Sequence, residues 1–158
     1  MGISVVPAPS AASKTMFRTT LTSGTSYTVP AGVTYLNVLL VGGGGSGCQE
    51  FFQDRQNNWG KPGETIWSTL SVTAGATIAY AIGAGGAATT ANGPGNNGGT
   101  TTFTGATSAT GGNGAVRSNG DPENASKLSF AYNGGAGQGS AAASGAGGPG
   151  CIIVEYWA

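Results

Sequence analysis

The sequence predicts an all-β domain, an antiparallel β-sandwich or a barrel-like wrap whose glycine-rich loops can run as polyproline-II-like strands. Three observations point there. Apolar and β-branched residues come in short runs separated by turn residues; no stretch carries a convincing 3.6-residue period; and the 31 glycines of the 158-residue chain gather in runs that begin where the apolar stretches stop. Leu36 to Val41 feeds Gly42-Gly43-Gly44-Gly45-Ser46-Gly47, Ala79 to Ile82 feeds Gly83-Ala84-Gly85-Gly86, and the run Gly145 to Gly150 feeds Cys151 to Trp157. Glycine loses the most backbone entropy on folding and has no side chain to bury. A chain this rich in it needs backbone-to-backbone packing or conformations closed to other residues.

In chain order, residues 1 to 14, with Pro7, Pro9 and small residues ending at Lys14, read as a linker or the stub of a longer protein, and residues 15 to 158 as one glycine-rich domain. Thr15 to Leu21 and Ser26 to Val29 are short strands around Ser23-Gly24. Pro30-Ala31-Gly32 is a turn into Val33 to Val41, which alternates at first and ends in the wholly apolar Leu39-Leu40-Val41, so it should start half exposed and finish inside. Thr65 to Val72 and Ala76 to Ile82 flank Ala74-Gly75, a hairpin signal. Thr100 to Thr104, Lys127 to Tyr132 and Cys151 to Trp157 are the remaining strands, and Gln49 to Asn57, bounded by Gly47 and Gly60, is the one candidate helix. The tracts at 83 to 99 and 134 to 150 lack the every-third glycine of collagen, yet apolar strands anchor both ends of each, which favours ordered extended chains over loose loops.

Lys plus Arg and Asp plus Glu are six each, so the formal charge is zero and only 8% of residues are charged. An ordinary domain has about 25%. Long-range attraction to nucleic acid or an anionic membrane is not expected, and a neutral surface favours assembly into an oligomer or fibre. No apolar run reaches the ~20 residues of a membrane helix, and Met1 to Pro7 lacks the basic start and apolar centre of a secretion signal. Histidine is absent, which removes the commonest general base and metal ligand, so neither catalysis nor a cofactor or metal is expected. Cys48 and Cys151, the only cysteines, read as two separate buried thiols.

Gly42-x-Gly44-x-x-Gly47 after an apolar strand matches the letter of a dinucleotide fingerprint, with Glu64 placed where a ribose ligand would be sought. The chemistry needs a helix and a second parallel strand, whereas Pro62-Gly63 interrupts the region and the later chain is antiparallel in character, so chance is the favoured reading. The acidic pairs Glu50 and Asp54, and Asp121 and Glu123, could hydrolyse a glycoside or hold calcium; solvated loop charges balanced by Arg55, Arg117 or Lys127 are the favoured reading. The distribution of charge says more. Nine of the twelve charged residues fall in two segments outside the core strands, and the first also carries aromatics and amides, the residue types of recognition loops on a rigid scaffold. The candidate ligand-binding residues are Phe51, Phe52, Asp54, Arg55, Asn57, Asn58, Trp59, Arg117 and Asp121.

Five blocks in order, Tyr27 to Thr34, Leu39 to Gly45, Val72 to Gly75 with Tyr80 to Gly86, Gly98 to Phe103, and Gly147 to Trp157, resemble the glycine-rich domain that ends many bacteriophage tail fibres and occurs in fibre-like proteins of predatory bacteria. The resemblance runs from about Phe17 to the C-terminus. It implies a receptor-binding adhesin, a homotrimer at the tip of a virion tail fibre or of an extracellular fibre, that contacts host surface carbohydrate or an outer-membrane protein. It implies neither nucleic acid nor membrane insertion, and it transfers no catalytic residues, because the shared blocks are scaffold. Residues 48 to 61 depart from the usual pattern, a charged aromatic segment standing where glycine is typical. The rival expectations are a trimerising cap without a receptor site and a glycan depolymerase.

Overall fold

The computed structural model describes residues 14–48, 59–90, 93–116 and 144–158. They form seven strands and no helix: β1 (Met16–Leu21), β2 (Ser26–Thr28), β3 (Tyr35–Val41), β4 (Thr65–Ser71), β5 (Thr77–Ala81), β6 (Thr102–Phe103) and β7 (Cys151–Trp157). A four-stranded sheet in the order β1-β7-β3-β4 faces a three-stranded sheet in the order β2-β5-β6, and every pairing is antiparallel. The protein is thus an all-β sandwich rather than a closed barrel. Alternation in β3 decides which side is covered. Leu36, Val38 and Leu40 turn inward with Ile152 and Val154 of β7, and they meet Tyr80 and Phe103 from the other sheet, with Val29, Val33 and Ala109 filling the gap. Each such apolar side chain contributes roughly 1.5–3 kcal/mol by leaving water.

Strand positions follow the sequence reading closely, and β7 matches it end to end. The strand read from Val33 begins at Tyr35, exposed there and buried by Val41 as expected, while Thr100 to Thr104 narrows to Thr102–Phe103 with a bridge from Thr101 to Ala109. The hairpin at Ala74-Gly75 is a correction. Gly75 does take the left-handed conformation, with φ at 77°, but the turn carries the chain from β4 in one sheet to β5 in the other. Turn chemistry reports a reversal, not which strands pair. The candidate helix at 49–57 and strand at 127–132 lie outside the described residues.

The two sheets continue at one end into a bundle of extended glycine-rich segments: I (42–47), II (60–64), III (83–89), IV (95–99), V (110–115) and VI (144–150). Segment I is its axis. The N–H groups of Gly42 and Gly45 donate to Glu64 and Lys61, those of Gly43 and Ser46 to Gly99 and Asn96, and those of Gly44 and Gly47 to Gly148 and Gly145, at 2.9–3.1 Å. Partners therefore recur every third residue, the repeat of a polyproline-II chain, which makes no internal hydrogen bond and must spend every N–H on a neighbour. In return the carbonyls of Gly43 and Ser46 accept from Gly112 and Ala115 of segment V, and that of Gly44 accepts from Gly86 of segment III. Five segments thus surround the axis, and bonds between II and V, V and IV, IV and III, and III and VI tie the surrounding ones together.

Such spacing leaves no room for Cβ. A methyl at Gly43 would overlap the Ala84 carbonyl, one at Gly63 the Gly42 carbonyl, and one at Gly98 the Gly43 carbonyl. Most residues that carry side chains here are exposed, as at Lys61, Pro62, Ala84, Asn97 and Asn113, while Ser46, Ala115 and Ser144 are buried. Thr101 joins bundle to sandwich: its buried hydroxyl donates to the Val41 carbonyl at 2.7 Å and accepts from the Gly83 N–H at 2.9 Å.

Gly43→Ala should lower stability by at least the ~1–3 kcal/mol typical of overpacking, because backbone must move to admit the methyl. Asn113→Ala, a change on the outer surface, should stay within about 0.5 kcal/mol; urea unfolding of the two variants checks the contrast. Thr101→Val keeps the shape and strands two buried backbone groups, for which each lost partner costs ~1–3 kcal/mol in the same measurement.

Candidate functional site

Topology brings together the described ends of the connections that carry the predicted binding residues. Segment I leaves β3 and segment II returns to β4; III leaves β5 and IV returns to β6; V leaves the second sheet and VI returns to β7. Connections 49–58, 91–92 and 117–143 therefore all begin and end at the bundle's far end. Bonds at that level confirm that the flanks are neighbours: Ser46 is tied to Asn96 and Ala115, Gly95 to Ala115, Gly47 to Gly145, and Ser144 to Thr89. The described chain's own two ends, at β1 and β7, pair with each other at the opposite pole, where Thr15 and Ala158 exchange backbone bonds.

Of the nine predicted site residues, Trp59 is described, half-buried at the head of segment II beside Gly60. Phe51, Phe52, Asp54, Arg55, Asn57, Asn58, Arg117 and Asp121 lie outside the described residues, as do both acidic pairs; each belongs to a connection that starts at this end. Val116, which the sequence reading passed over, stands exposed here as well. A single outward valine is ordinary, and only its position beside the loop roots distinguishes it.

Two serines clasp this end. The Ser46 N–H donates to the Asn96 carbonyl while the Asn96 N–H donates to Ser46 Oγ at 2.7 Å; Ser144 and Thr89 repeat the exchange, with the Thr89 N–H donating to Ser144 Oγ at 2.7 Å. Facing extended segments bond every third residue, so the neighbouring N–H would lack an acceptor without these hydroxyls. Both serines are buried and are the sole buried polar side chains among the described residues besides Thr101. The clasps hold fixed the roots from which the loops leave.

Glu64 is no ribose ligand. Its carboxylate accepts from the Thr110 N–H at 3.1 Å and from the Thr110 hydroxyl at 2.9 Å, tying segment II to segment V. The backbone bond, then the hydroxyl bond, hold its pKa below the ordinary glutamate value. The glycine fingerprint offers no phosphate cradle either, because the N–H groups of residues 42–47 are all spent on neighbouring carbonyls. Cys48 and Cys151 are both buried, at opposite ends of segment I, and no bond joins them. Among the described residues no three His, Cys, Asp or Glu side chains group to hold a metal, and no helix is long and apolar enough to cross a membrane.

The model of the glycine-rich domain matches residues 19–129. The chain belongs to this glycine-rich domain family. No curated protein matches the chain. The glycines of this chain build the bundle core, and the described ends of the three connections sit at its far end.

A depressed carboxyl pKa contributes stability that is present above the unfolded-state value and is lost as pH falls through the folded one. The melting temperature of the wild type should therefore drop on acidification through and below the ordinary glutamate range more steeply than that of Glu64→Gln, which keeps an acceptor for Thr110 but cannot titrate. Parallel curves would remove Glu64 from the acid response.

Proposed function

We propose that this glycine-rich domain is the receptor-binding tip of a bacteriophage tail fibre or fibre-like adhesin, acting as a homotrimer on host cell-surface carbohydrate or an outer-membrane component. One observation supports it above the rest: the three connections 49–58, 91–92 and 117–143 all start and end at one pole of the hydrogen-bonded bundle, and strands β1 and β7 lie toward the other. A fibre attached by its terminal strands would carry the loops outermost. Phe51, Phe52 and Trp59 would supply flat apolar faces for sugar rings, Asn57 and Asn58 amide hydrogen bonds, and Asp54, Arg55, Arg117 and Asp121 charge-assisted ones. Weak single contacts are strengthened by linking, since three copies on one particle raise the effective concentration of the second and third.

Replacing Trp59 together with Phe51 or Phe52 by alanine should abolish binding to host cells and leave the melting temperature close to wild type. Adhesion that survives would move the site away from the first connection. A cap domain without receptor function would give no signal for the wild type on a glycan array, and a depolymerase would release new reducing ends from host polysaccharide.

A further inference from the structure

The four-stranded sheet has two outer edges, at β1 and β4, to which no other described strand pairs. In β4 the Val72 N–H donates to Thr34 and the Glu64 carbonyl accepts from Gly42, so even-numbered residues bond toward β3. The N–H and carbonyl groups of Thr65, Trp67, Thr69 and Ser71 therefore face outward, and no described residue bonds to them. At the other edge Thr15 and Ala158 exchange bonds, which turns the odd-numbered residues of β1 toward β7, and no described residue bonds to the backbone of Met16, Arg18 and Thr20. Natural edges are usually blunted by charge, proline or a bulge. β4 has no charge and no proline over seven residues, and the one charge of β1, Arg18, is bonded to Glu155 at 3.1 Å.

On the sheet face that looks away from the core, Val41, Cys151 and Ile153 are buried near the bundle, while the end away from it exposes large apolar side chains. Met16 stands opposite Trp157 and Tyr35 opposite Ser71 at the end of the sheet away from the bundle, with Trp67 four residues from Ser71 along β4, opposite Leu39. Met16, Trp157, Tyr35 and Trp67 are 52%, 45%, 62% and 60% exposed. Large apolar groups clustered on one open face mark an interaction site. Its ion pair among the described residues, Arg18 with Glu155, neutralises itself, and the whole chain has a formal charge of zero, so no described group on this face repels an identical copy.

We propose that β4 of one copy adds to β1 of a second copy, antiparallel, extending the four-stranded sheet from chain to chain. Direction selects this pair of edges. β1 runs toward the glycine bundle and β4 runs away from it, so two copies side by side with their bundles pointing the same way bring β4 against β1 in antiparallel sense. Pairing β4 with β4, or β1 with β1, would point the bundles in opposite directions. A head-to-tail contact of this kind closes into a ring when its rotation allows. The core side of the sheet is covered by the second sheet, so the ring turns Met16, Trp157 and Tyr35 toward its axis. That the ring has three members, with three tips side by side, rests on the reading given under Proposed function; the choice of edges does not.

Thr69→Lys and Thr20→Lys each put a charge on one edge at an exposed position, and native mass measurement of the full chain reads the result. The wild type should be an oligomer, and either variant should fall to the single-chain mass of 15.3 kDa, with circular dichroism and melting unchanged. Combining Thr69→Lys with Thr20→Glu in one chain should restore assembly, because opposite charges then meet across the contact. Ser71→Lys replaces Thr69→Lys should the latter disturb the fold. A monomeric wild type, assembly that survives both lysines, or loss with only one of them overturns the proposal. Cell binding separates the two readings: a monomer that still adheres removes the edge contact alone, and an oligomer disrupted as expected that never adheres removes the receptor reading alone.

Discussion

Backbone packed against backbone, with no side chain between, is the constraint on which the rest of this protein depends. Segment I can donate in three directions only because its neighbours come within hydrogen-bond distance on every side, and they come that close only because the facing positions lack Cβ. Each bond contributes about 0.5–1.5 kcal/mol net, so six of them offset much of the entropy that the glycines of segment I lose on ordering. A bundle of this kind is cooperative by construction, because removing one segment leaves two or three others with unmet donors.

The sandwich and the bundle solve different problems with the same chain. In the sandwich, apolar side chains from two faces meet, and the register of β3 with β4 and β7 is set by which residues must be inside. In the bundle nothing apolar is buried in quantity, and register is set by hydrogen bonding instead, with Ser46, Ser144, Thr101 and Glu64 supplying oxygen where the three-residue pattern leaves a backbone donor without a carbonyl. Together they make a pillar that is stiff at the loop roots. Under the receptor-binding reading proposed above, that stiffness would help, because entropy already lost in folding is not lost again on binding.

Much of this was legible in the residues. β-branched and apolar runs located the strands to within a residue or two, and positive-φ turns fell at Gly24, Gly32 and Gly75 where the turn signals stood. The order within the bundle was not. Over whole tracts the glycines look irregular, but taken segment by segment they recur every third position: Gly60 and Gly63, Gly95 and Gly98, Gly147 and Gly150. Those are the positions that face segment I or, at Gly150, the end of β3, and the residues between them look outward. Segment I has glycine almost throughout because neighbours surround it.

By itself the sequence determined that the chain is all-β and where its described strands lie, and it favoured order over loose loops in the glycine tracts, since local residue preference and alternation act over a few neighbours and survive in any tertiary setting. It also marked the aromatic, amide-rich departure from the glycine pattern around Trp59. Which strands pair, that Ala74-Gly75 crosses between sheets instead of closing a hairpin, that Glu64 serves Thr110, and that three connections far apart in sequence share one pole were decided only in the tertiary structure. The pairings behind them join segments such as Glu64 and Thr110, 46 residues apart, or β3 and β7, 110 to 118 apart, largely through backbone groups, and a peptide N–H carries no record of which carbonyl it will find.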